Sequence, residues 1–171
     1  MSENVSTASG ADPIGKPRAL HGIVFGGLAI GVLDILDAFT FFGLWFGAPP
    51  QRILQSVASG VLGRQAAISG GWKTAALGLA LHFLNATIIA TIYYLATLKL
   101  PVLLHHAVIC GLLFGVVCHF VMSYVVVPLS RATPGRFSVP VLLNGIIFHA
   151  LLVGLPPALI NRWSAKRNLA R

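Results

Sequence analysis

Five ionisable side chains fall inside the long apolar runs of this 171-residue sequence: Asp34, Asp37, His82, His119 and His149, with Asn85 as a sixth polar group. A carboxylate surrounded by hydrocarbon needs either a partner or a proton, and no Lys or Arg lies at the same depth, which leaves histidine as the partner. Imidazole changes charge near neutral pH, so the expected chemistry is a buried Asp/His cluster that takes up or passes a proton. The same atoms admit other uses. Histidines on facing helices can grip a haem iron, and His with Asp can hold a metal ion in a bundle core. No cofactor is predicted, because ligand spacings such as His-Glu-x-x-His and Cys-x-x-Cys are missing from the sequence. The plainest alternative is packing: a lone polar group between membrane helices often serves only as glue, worth about 1 kcal/mol or less.

Spacing groups these residues further. Asp34 and Asp37 are three apart, as are His82 and Asn85, so each pair shares one face of a helix. Gly78, Gly115 and Gly145 precede His82, His119 and His149 by four residues each. A helical side chain leans over the turn before it, so a glycine there leaves a notch for the imidazole or for a neighbouring backbone. Gly27-x-x-x-Gly31 and Gly111-x-x-x-Gly115 repeat the small-residue pattern that lets membrane helices approach closely.

The elements that must position these groups follow from composition. Hydrophobic residues make up 56% and charged residues 9% of the chain, against roughly 25% charged in a soluble domain, so lipid must cover what polar side chains cannot. The apolar runs approach the ~20 residues that a bilayer-crossing helix needs. The expected fold is all-α, an integral membrane four-helix bundle over residues 20–161, with spans near 20–46, 74–98, 102–129 and 141–160. Gly47, Pro49 and Pro50 stop the first span. Over 52–63, Ile53, Leu54, Val57, Ala58, Val61 and Leu62 recur at helical spacing opposite Arg52, Gln55, Ser56 and Ser59, which predicts a short amphipathic interfacial helix between spans one and two. Trp72 with Lys73 reads as an interfacial anchor. Residues 1–19 read as a disordered, basic-flanked tail without a cleaved signal peptide, and 162–171 as a basic tail. Pro128 falls within the third span, and Pro156 and Pro157 bend or end the fourth.

Four spans place both termini on one side. Seven Lys and Arg (Lys16, Arg18, Lys99, Arg162, Lys166, Arg167, Arg171) lie there against five (Arg52, Arg64, Lys73, Arg131, Arg136) opposite, which favours cytoplasmic termini. With that topology the six polar residues fall in one layer about 10 Å thick, at 1.5 Å per residue. The +8 formal charge is scattered over every loop rather than gathered in a stripe with aromatics, so nucleic acid is not an expected partner. The expected partner is the lipid bilayer, with self-association or a larger membrane complex beyond it. Cys110 and Cys118 lie about 12 Å apart along one helix and cannot bridge each other there. His21, His105 and His106 sit at span ends, where wet interfacial roles are expected. No nucleophile–base pair or phosphate loop marks an enzyme acting on soluble substrates. The expected function is that of a small membrane protein handling protons in transport or pH homeostasis, with a haem- or metal-binding electron-transfer subunit and a structural scaffold as alternatives.

The glycine-rich first span, His82, the run Gly111-x-x-x-Gly115-x-x-x-His119 leading to Pro128-Leu129, and His149 together resemble bacterial inner-membrane proteins of the YagU-like kind. The resemblance covers about residues 22–163 and implies an inner-membrane location. The first-span aspartates depart from it, and no reaction follows from it.

Overall fold

The computed structural model describes residues 15–133, 135 and 138–169. The tail up to residue 14, Arg136 and Arg171 lie outside them. Among the described residues every regular element is helical. Four helices are long and apolar enough to cross a membrane: α1 (Leu20–Phe46), α4 (Gly71–Lys99), α6 (Ala107–Leu129) and α7 (Val139–Leu169). Between the first two stand α2 (Pro50–Leu62) and α3 (Arg64–Ser69), and a single turn, α5 (Val102–His105), precedes α6.

Local chemistry sets these boundaries. Gly47 adopts φ 62°, and the N–H groups of Gly47 and Ala48 return to the carbonyls of Gly43 and Phe42, closing α1 with a Schellman motif. Pro50 then opens α2 at its first turn, where a missing N–H is harmless. Gly63, at φ 80°, breaks α2 from α3 in a conformation that a side chain would strain. The third apolar run is interrupted at His106, whose φ −106° and ψ 44° are not helical, so the long helix starts at Ala107 rather than at Val102. The fourth helix runs through Pro156 and Pro157 to Leu169. It does so by widening: a π-helical stretch, His149–Gly154, precedes the two prolines, and another, Met122–Val126, precedes Pro128. A proline ring displaces the carbonyl four residues earlier, and a wider turn accommodates it without ending the helix.

In the bundle α1 packs on α4 and α7, and α6 packs on α7. All four long helices meet at Ile30, Ala86, Ala90, Cys118 and Val153. Helices α4 and α6 face each other across an apolar cleft of about 280 Å³ lined by Asn85, Ile88, Phe114, Cys118 and Met122, which Tyr93 and Phe114 adjoin with rings 4.9 Å apart. The outside is as apolar as the inside: Leu44, Leu95, Ile109, Leu113 and Leu129 are all exposed. Such a surface would aggregate in water and is at home in hydrocarbon.

Helix α2 is amphipathic, but its buried face is turned from the expected one. Gln55 and Ser59 are 3% and 7% exposed, whereas Val61 is 54% exposed. The cause is tertiary. The Leu54 carbonyl seats directly on Gly78 of α4, where any Cβ would overlap it, and Leu54 packs with Ile35 and Ala75. The Gln55 side chain then points inward, its Nε2 donating to the carbonyls of Gly71 (2.9 Å) and Ile68 (3.3 Å).

Candidate functional site

The crossing of α6 and α7 builds the centre of the site. Gly115 lies against the His149 carbonyl and Ala150, and Gly111 against Gly154 and Leu155, so the two backbones touch. At Gly145 the missing Cβ admits the imidazole of His119. The notches are therefore reciprocal: the glycine before His149 houses the His119 ring, and the glycine before His119 houses the backbone at His149. The two rings consequently stand edge to face, 5.1 Å between centroids and 75° between planes, and His119 is 7% exposed.

Helix α1 reaches this pair from the other side. Asp37 Oδ2 accepts a 2.9 Å hydrogen bond from Asn144 Nδ2, and Asn144 adjoins Gly145, against which the His119 ring lies. Both Asp34 and Asp37 are half-buried. Asn144 is a site residue that the sequence reading passed over; its signal was present, an amide inside the apolar stretch Val139–Phe148. An open groove of about 510 Å³, lined by Asp37, Thr40, Phe41, Trp45, Asn144 and Phe148 among others, gives access to this polar pair from between α1 and α7.

The remaining expected members lie apart. His82 Nε2 donates to the Gly31 carbonyl at 2.9 Å; a carbonyl only accepts, so the proton sits on Nε2 and the ring ties α4 to α1. Gly31 also faces the Phe83 ring, and Gly27 faces Thr87, so the first-span glycine pair seats α4. The notch at Gly78 belongs to α2, not to the His82 imidazole. Asn85 lines the α4/α6 cleft. Among the described residues no three of His, Cys, Asp and Glu converge as a metal-binding group.

A second polar cluster, unread in the sequence, closes the end of the bundle near the termini. The Ser164 hydroxyl accepts the Arg18 N–H and pairs with His21 Nδ1, each at 2.9 Å. Arg167 lies over the Trp163 ring at 4.8 Å. Asn161, fully buried, fits its amide against Gly22 and donates to the Pro157 carbonyl at 2.8 Å. The contacts of Arg18, His21 and Gly22 with Ser164 and Asn161 fasten the start of α1 to the end of α7.

The architecture is thus that of a multi-pass helical membrane protein with a polar centre between α1, α6 and α7. No family model, curated protein or solved structure matches the chain.

Proposed function

We propose that this is a bacterial inner-membrane protein whose Asp37, Asn144, His149 and His119 handle protons in transport or pH homeostasis. The observation that carries the reading is that three separate helices bring a carboxylate, an amide and two imidazoles to one place inside an otherwise apolar bundle. Polar groups are expensive at that depth and mark ion or proton pathways. Neighbouring imidazoles can pass a proton between them, and a carboxylate such as Asp37, bonded to Asn144 on the helix that bears His149, would balance the charge that an imidazolium brings. Asp34, one turn away, extends the acidic side. His82, bonded to backbone, serves as a fastening instead.

The YagU-like resemblance supports the inner-membrane location, and the excess of Lys and Arg near the termini supports cytoplasmic ends. In that orientation α2 and α3 form a cap at the opposite interface. Self-association in the membrane completes the reading, since four spans are few for a lone transporter.

The test is proton flux in liposomes reconstituted with the protein and followed by an internal pH dye. Asp37→Asn and His149→Ala abolish the flux, Asp34→Asn lowers it, and His82→Gln lowers yield with little effect on flux per folded molecule. Unchanged flux in correctly folded Asp37→Asn and His149→Ala protein would reduce the centre to packing. A Soret band in the purified protein would instead assign His119 and His149 to haem.

A further inference from the structure

We infer that the concavity between α2, α3 and the segment following α6 binds a phosphate oxyanion, carried by a lipid head group or free in solution. The cavity holds about 410 Å³ and is lined by Arg52, Arg64, Gln55, Ser56, Ser59 and Thr133, with Ile68 at its side. Three separate stretches of chain make it, and each is fastened. Gln55 joins α2 to the α3–α4 junction through the Ile68 and Gly71 carbonyls. The Arg131 N–H donates to the Gly60 carbonyl at 2.9 Å, which draws the segment bearing Thr133 onto α2. Gln55 and Ser59 form a buried floor, and Arg52 and Arg64 stand exposed at the walls.

The charge pattern selects the ligand. The chain has four carboxylates: Glu3 and Asp12 in the N-terminal tail, Asp34 and Asp37 within the first span. Among the described residues no carboxylate lines this cavity. Two guanidinium forks around a concave, partly dehydrated space focus positive potential and offer planar, paired donors, the geometry that suits phosphate oxygens. The Thr133 hydroxyl adds a donor. This site is independent of the Asp/His centre and stands or falls without it.

The experiment titrates the full-length protein, in zwitterionic detergent, with short-chain phosphatidylglycerol and separately with inorganic phosphate, read by calorimetry. Saturable binding is expected. Arg52→Gln and Arg64→Gln, both exposed and therefore harmless to packing, each weaken it about tenfold or more, as loss of a hydrogen bond to a charged group requires. Arg52→Lys keeps the charge, loses the fork and recovers only part of the affinity, while Lys73→Gln, on the same side but outside the cavity, changes nothing. Binding of phosphatidylglycerol alone identifies a lipid head group as the source; binding of inorganic phosphate identifies a free anion. If neither probe saturates, or if Lys73→Gln weakens binding as much as the arginine variants do, the inference is overturned.

Discussion

His119 is held between Gly145 and the ring of His149, so its position depends on an atom that is missing. Gly145→Ala would drive a methyl group into the imidazole and is expected to destabilise the protein by about 1–3 kcal/mol, as overpacking does. Gly43→Ala is the control, because a Cβ there meets only the Ala48 carbonyl at 3.8 Å and alanine favours the helix; thermal unfolding in detergent should separate the two variants by several degrees. The bond between Asp37 and Asn144 makes a second prediction at this scale. A double-mutant cycle of Asp37→Asn and Asn144→Ala should show a favourable coupling of about 0.6 kcal/mol, the average for polar contacts between membrane helices, and zero coupling would mean the two side chains act separately. The spacing of the aspartates and histidines was visible in the one-dimensional pattern. That Asn144, rather than Asn85, stands beside Asp37 was not, since periodicity places a residue on a face without saying which neighbour that face meets.

The same distinction governs the elements. Helix α2 has an apolar stripe that suits a membrane surface, yet it turns Gln55 and Ser59 inward because Gly78 offers its backbone a seat on α4. Replacing Gly78 by valine should unseat α2, and a cysteine introduced at Ser59 should then react with a water-soluble maleimide far faster than in the parent; equal rates would show that the seat does not hold the helix. The crossing of α6 and α7 relies on Gly111, Gly115 and Gly154 in the same way. Gly115→Leu is expected to separate the two helices and remove the His119–His149 contact, read as loss of folded yield and a lower thermal unfolding temperature in detergent. The prolines show how position decides a stop signal: Pro156 and Pro157 follow a widened stretch and leave the fourth helix continuous to Leu169, because a transmembrane helix that ended in hydrocarbon would expose unpaired backbone groups, whereas the third helix ends at Leu129, one residue past Pro128, as its sequence predicts.

At the scale of the molecule, the apolar exterior and the terminal cluster of Arg18, His21, Ser164 and Arg167 make a bundle that is wet at its ends and greasy around its waist. Four spans put Lys166 and Thr133 on opposite sides of the membrane. Single cysteines at the two positions should therefore react with an impermeant reagent from opposite sides in oriented vesicles; labelling of both from one side would require an even number of crossings between them and would sink the four-span topology. Composition and the lengths of the apolar runs determined by themselves that the chain is helical and has four segments able to span a membrane, because hydrocarbon leaves a spanning backbone no partner except its own helix. Which polar side chains meet, which face α2 buries, and where the arginine-lined cavity forms were decided only by tertiary structure. Each of those depends on how far a helix is rotated about its own axis, and that rotation is set by close backbone contacts at Gly31, Gly78, Gly115 and Gly145, between residues far apart in the chain.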